Sequence, residues 1–201
     1  MSIFAMPQSD ISDGDIKVLF LHGLAGSPDG AKATHLRAEW KARSPVLRTR
    51  ELLDLSKRDN RLSLRGASRE ELDSAMEPAY EDACAAVRYF DPDIVVGSSL
   101  GGALLAKMVM EDKWNGNCVF LAPAIDSLLG DVTLPEMRSA VWILGECDDI
   151  TPNIFNIRHC RASSGQLMVS RDDNHQLEKA LAGGLIDSAI TTSLEISCAE
   201  K

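Results

Sequence analysis

Short apolar runs alternate with longer stretches of helical spacing along the whole chain, which is the rhythm of parallel strands joined by crossover helices. Six runs read as strands: Lys17–His22 (KVLFLH), Val46–Arg50 (VLRTR), Asp93–Gly97 (DIVVG), Asn117–Leu121 (NCVFL), Ala140–Leu144 (AVWIL) and Gln166–Ser170 (QLMVS). Several lack period-two alternation, as strands buried on both faces should. Between them, Ala33, Leu36 and Trp40 recur at helical spacing. Leu177, Leu181, Leu185 and Ala189 repeat the pattern as a last helix, and both sets read as amphipathic covers on a sheet. Ser68 followed by Glu71 is a capping-box pattern opening a helical stretch to about Phe90, with Pro78 expected to kink or restart it. The charged segment from Arg48 to Arg69 reads as a solvated loop with a short helix.

No internal repeat, low-complexity tract or composition shift marks a second domain, so one domain over residues 1–201 is expected, with 1–14 as a flexible N-terminal segment. The stretch from Ala122 to Ser139 is too short for a separate lid of several helices, which predicts an open site. At 201 residues, 45% of them hydrophobic, the chain is long enough to bury one core. Its net charge of −9 argues against nucleic acid and anionic membranes as partners, because both are held by clustered Lys and Arg. With neither a bilayer-spanning apolar run nor a basic and apolar leader at the N-terminus, a cytoplasmic location is expected. Cys84, Cys118, Cys147, Cys160 and Cys198 are odd in number, scattered, and form no C-x-x-C pair. They read as reduced thiols, mostly packing groups, and neither metal nor cofactor is expected.

Candidate chemistry begins at Gly97-Ser98-Ser99-Leu100-Gly101-Gly102, a G-x-S-x-G pattern between an apolar run and a helix-like segment. A serine on a sharp strand-to-helix turn has its hydroxyl forced outward, which makes Ser99 the candidate nucleophile. The following helix aims its unpaired N–H groups at the same point, and Leu100 N–H is a natural donor to an oxyanion. His22-Gly23-Leu24-Ala25-Gly26-Ser27-Pro28, directly after the first strand, can offer a second donor in Leu24 N–H, with His22 shaping the loop. The same region misses the G-x-x-x-x-G-K-[ST] spacing of a phosphate loop, and its Asp29 would repel a phosphate.

A serine needs a base and an acid to orient that base. Of the four histidines, His175 in Asp172-Asp173-Asn174-His175-Gln176 follows the sixth strand at the sheet edge that carries Ser99, and is the best base by position. The fifth strand runs into Gly145-Glu146-Cys147-Asp148-Asp149-Ile150-Thr151-Pro152, where Asp148 is the leading acid and Asp149 and Glu146 are its rivals. Asp126, beyond the fourth strand, is a further option.

The order Ser99, Asp148, His175, carried by H-G-L-x-G-S, G-S-S-L-G-G, G-E-C-D-D-I-T-P and D-N-H, resembles the α/β-hydrolase superfamily over nearly the whole chain. The H-G-x-x-x-S-P-x-x-A-K-A-T stretch and the small lidless size are similar to a group of small bacterial esterases. The resemblance implies a single-domain α/β-hydrolase fold of about six parallel strands in the order 2-1-3-4-5-6, with helices on both faces and no lid. One departure is Thr151, which stands where Val is common in the acid turn. The activity implied is that of a serine esterase acting on a small carboxylic ester or thioester, with a short acyl group favoured by the absence of a lid. The same fold also hosts catalytically silent binding proteins and hydrolases of peptides or lactones. The oligomeric state is left open.

Overall fold

A computed structural model describes residues 15–57, 64 and 66–199. The expected flexible segment 1–14, and residues 58–63 and 65 of the charged stretch, lie outside the described residues. One sheet contains β1 (Lys17–Leu21), β2 (Lys41–Arg43), β3 (Ile94–Ser98), β4 (Asn117–Leu121), β5 (Val141–Gly145) and β6 (Gln166–Ser170). All pairings are parallel, in the order β2-β1-β3-β4-β5-β6 that the resemblance implies.

Each central strand sends alternate side chains to two cores. Leu19, Leu21, Val95, Phe120 and Trp142 share one cluster with α3 (Arg69–Phe90) and α4 (Leu100–Met110). Val18, Phe20, Ile94, Val96, Val119 and Ile143 share the other with α1 (Ala31–Glu39) and α8 (Leu185–Ala199). Both faces of the strands are therefore dry, which is why the sequence shows apolar runs instead of alternation. On the first face Phe120 and Trp142, register partners on β4 and β5, stack with ring centroids 4.3 Å apart. The α4 helix is buried from Leu100 through Ala106, so it is apolar on all sides and gives no amphipathic stripe.

Three expectations are corrected. The second strand is Lys41–Arg43, not Val46–Arg50. It is a three-residue edge strand with charged ends, bonded only to β1, and such edges carry no hydrophobic run to recognise. Val46 is exposed, Leu47 turns into the core, and Arg48 bonds Asp82 on α3. The second correction is that the helix does not restart at Pro78, since α3 runs unbroken through it. Its capping box is formed as expected, with Ser68 Oγ accepting from Glu71 N and Glu71 Oε2 accepting from Ser68 N. Burial of Leu72, Met76, Ala79 and Tyr80 around the proline offsets the lost helical bond. The third is that the last apolar repeat is two helices, α7 (Glu178–Ala182) and α8, separated at Gly183-Gly184. Gly184 has φ +70°, a conformation that favours glycine and ends the helical path.

The charged Arg48–Arg69 region does contain a short helix, α2 (Arg50–Ser56), which buries Leu52 and Leu55. Between β4 and β5 the chain carries only the five-residue α5 (Ile125–Leu129) and irregular backbone, so no multi-helix lid is built there. The remaining crossover, α6 (Asn153–Ala162), joins β5 to β6. Among the described residues no helix is long and apolar enough to cross a membrane.

Candidate active site

Ser99 is the hinge between β3 and α4, with φ 51° and ψ −110°. A non-glycine residue held there costs roughly 1–3 kcal/mol, so its surroundings must enforce it. Ser99 N donates to Leu121 O on β4 at 2.9 Å, and Ser99 O accepts from Ala103 N at 3.1 Å and Ala124 N at 3.0 Å. The turn is tight enough that a Cβ on Gly101 would stand 1.9 Å from Leu21 O, so α4 sits directly against β1 only because that residue is glycine.

His175 follows β6 on a turn held by Asp173. The Asp173 side chain accepts from Ser170 Oγ at 2.8 Å, from Asn174 N at 3.0 Å and from Ala180 N of α7 at 2.8 Å. Burial pushes the Asp173 carboxyl pKa up, but these donors outweigh it and hold the group below its ordinary value. The acid turn after β5 is stitched to this histidine turn, with Glu146 N donating to Ser170 O at 2.9 Å and Cys147 N to Asp173 O at 2.8 Å. From the other side Lys32 Nζ, on α1, donates to Gln176 O. Burial lowers the Lys32 pKa, opposed by the charges of Asp173 and Glu178.

These turns bring together three of the residues expected from the sequence. His175 Nε2 lies 2.9 Å from Ser99 Oγ, and His175 Nδ1 lies 2.9 Å from Asp148 Oδ2. The Asp148 side chain has no exposed surface, and that of His175 is 9% exposed. Burial favours the neutral acid, yet the Asp148 pKa is lowered, because His175, the Thr151 hydroxyl and Thr151 N all bond the carboxylate. A carboxylate bonded to Nδ1 orients the ring so that Nε2 can accept the serine proton.

Of the rivals for the acid, Glu146 and Asp126 are engaged elsewhere. Asp149 is exposed, and Glu146 is exposed with Oε2 accepting from Asp172 N at 3.0 Å. Asp126 accepts from His159 Nε2 at 2.9 Å and Arg158 Nη2 at 3.0 Å. His35 is 2.7 Å from Asp187 on α8. His22 is buried, its Nδ1 2.9 Å from Gly23 O, as suits a loop-shaping role.

The first loop borders the serine: a Cβ placed on Gly23 would lie 3.3 Å from Ser99 Cβ and 4.0 Å from its Oγ. The next residue is Leu24, while Leu100 opens α4 on the other side of Ser99. Sequence reasoning missed Asp173, Lys32 and the hydroxyl of Thr151 as parts of this assembly. The only local signals were Asp173 two residues before His175 and the unusual Thr in the acid turn, and neither shows which loop it will meet. Among the described residues no three His, Cys, Asp or Glu side chains converge to hold a metal ion. Cys84, Cys118 and Cys160 are buried, Cys147 and Cys198 are exposed, and all five are unpaired.

A six-stranded parallel sheet in this order, with a strained serine turn after β3 and the acid and histidine turns after β5 and β6, defines the α/β-hydrolase fold. Solved structures agree. A Thermus thermophilus protein, TT1662, is similar with TM-score 0.63 at 16% identity, covering 92% of this chain and 91% of that one. Est1E from Butyrivibrio proteoclasticus, solved with ferulic acid bound, matches with TM-score 0.63 at 14% identity, again covering 92% and 91%. An α/β serine hydrolase homologue from Coxiella burnetii matches with TM-score 0.53 at 15% identity, covering 90% and 85%. At these identities the likeness is one of fold. No protein-family profile and no curated protein sequence matches the chain.

Proposed function

We propose that the chain is a serine hydrolase that cleaves a small carboxylic ester or thioester through an acyl-enzyme on Ser99. The observation that carries this reading is the continuous relay from Ser99 Oγ through both ring nitrogens of His175 to a buried, fully bonded Asp148. Ser99 Oγ attacks the carbonyl carbon while His175 Nε2 takes its proton. The tetrahedral oxyanion is held by the N–H groups of Leu24 and Leu100, supported by the N-terminal dipole of α4. The imidazolium then returns the proton to the departing alkoxide or thiolate as its bond to carbon breaks. Water, deprotonated by His175, attacks the acyl-serine, and the carboxylic acid leaves with Ser99 restored. Asp148 stays ionised throughout, and its lowered pKa supports that role.

The absence of a multi-helix lid between β4 and β5 supports a small, accessible substrate. A structural neighbour bound to an aromatic acid and another described as a serine hydrolase homologue support hydrolase chemistry on this scaffold. The test is fluorophosphonate labelling of wild type and Ser99→Ala, run beside turnover of nitrophenyl esters of about two to eight acyl carbons. Labelling confined to wild type, with short chains preferred, is the expected result. A folded wild type that neither labels nor turns over any ester would replace this reading with that of a binding protein.

A further inference from the structure

Thr151 is buried, with 4% of its surface exposed, at the end of the acid turn and just before α6. It meets Asp148 twice. Its backbone N donates to Asp148 Oδ1 at 2.9 Å, alongside Ile150 N at 2.9 Å, and its hydroxyl donates to Asp148 Oδ2 at 2.6 Å. The same hydroxyl oxygen stands 3.3 Å from His175 Nδ1, at the outer limit of a hydrogen bond. Counting His175 Nδ1, the carboxylate has four donors, which fills the acceptor positions available to it.

We propose that Thr151 is a positioning residue for His175, its hydroxyl locking the Asp148 carboxylate in the plane of the imidazole and sharing the Nδ1 proton with it. The role rests on the reading of Ser99, His175 and Asp148 as the reacting unit. The backbone bond from Thr151 shapes the turn and survives any substitution other than proline. The hydroxyl is a separate device, and valine has nearly the same shape without it. Loss of the hydroxyl leaves one position of Oδ2 without a donor on a carboxylate that has no exposed surface. The carboxylate then concentrates its charge on the ring and holds imidazolium more tightly, while its own rotation is less restrained. The bond to Asp148 outweighs the contact with Nδ1 in setting this sign, because it is shorter by several tenths of an ångström and because Nδ1 carries its proton in both charge states of the ring.

The ionisable groups on the elements next to His175 are Asp172 and Asp173 on its own turn, Glu178 on α7, Lys32 on α1, Glu146, Cys147 and Asp149 on the acid turn, and His22 on the first loop. All stay in place when only Thr151 changes, so a shift specific to the hydroxyl cannot be theirs.

The experiment is a nuclear magnetic resonance titration of the histidine rings in wild type, Thr151→Val and Thr151→Ser, paired with the pH dependence of kcat/KM on a nitrophenyl ester. In Thr151→Val the midpoint of the His175 titration moves upward by about half to one pH unit, while those of His22, His35 and His159 hold still. The acid limb of kcat/KM moves with it, and kcat falls about tenfold with KM changed by less than about twofold. Thr151→Ser restores wild-type behaviour in both readouts. A folded Thr151→Val whose His175 titrates as in wild type, or lower, overturns the proposal. The ring titration needs no turnover, so it remains decisive even if wild type fails the labelling test, and that failure would count against the hydrolase reading alone.

Discussion

Among the described residues three histidine–aspartate pairs form, His175–Asp148, His159–Asp126 and His35–Asp187, and of these His175 alone also meets a serine. His175 bonds Asp148 through Nδ1 and reaches Ser99 Oγ through Nε2, each at 2.9 Å. His159, in the last turn of α6, gives Nε2 to Asp126 at 2.9 Å, and the same carboxylate also takes Arg158 at 3.0 Å. The first carboxylate is fixed largely by its own turn, through two backbone N–H groups and a neighbouring hydroxyl. The second is held by side chains from another helix. A buried imidazole beside a carboxylate is thus not itself a reacting unit. Which nitrogen faces the acid, and what stands beyond the other, separates a candidate base from a candidate strut.

The comparison breaks most visibly by removing each histidine in turn. His175→Ala, like Ser99→Ala, is expected to lower kcat by on the order of 10⁶ in steady-state assays of the wild-type substrate. His159→Gln should leave kcat within a few-fold, since it touches none of the reacting groups. A comparable collapse in a folded His159→Gln would show that the two pairs had been assigned the wrong roles. The acids sharpen the same contrast. Asp148→Asn removes the acceptor that fixes the ring tautomer and should cost about 10⁴ in kcat, whereas Asp126→Asn should change it little.

Stability supplies the converse. Removing His159 leaves a half-buried carboxylate with one partner fewer, and denaturant melts should show a loss of about 1–2 kcal/mol. The smallest effect is in acid. The native pKa of Asp173 is depressed, so the carboxylate contributes stability that is complete above the unfolded value of about 4 and disappears as pH falls through the native one. Asp173→Asn should therefore be less stable than wild type at neutral pH, and the two urea midpoints should converge as the pH falls below about 4. Parallel curves over that range would mean that the Asp173 contacts matter through shape, not charge.

The strands with apolar runs were legible because such runs are local: β4 and the largely exposed edge strand β6 begin and end where the sequence places them, and β1, β3 and β5 do so to within a residue. The β2 strand was not, because a short charged edge owes its existence to the exposed backbone of β1 instead of to its own side chains. The helix continues past Pro78 without a restart for a related reason, since the cost of the proline is local and the compensating burial is not. The break between α7 and α8 was written in Gly183-Gly184 and hidden by a Leu repeat that continued across it.

At the site, the meeting of Ser99, Asp148 and His175 could be expected from the sequence because each sits on a turn at the carboxyl end of a strand, and parallel strands bring those ends together. Glycines at the serine turn, the capping box of α3 and the alternation of strands and helices are likewise properties of neighbouring residues. The exposure of Asp149, the diversion of Asp126 to His159, and the gathering of Thr151, Asp173 and Lys32 about the histidine turn belong to the tertiary structure alone. They depend on which loops touch across gaps of tens of residues, and hydrogen bonds are decided by tenths of an ångström that no local pattern records.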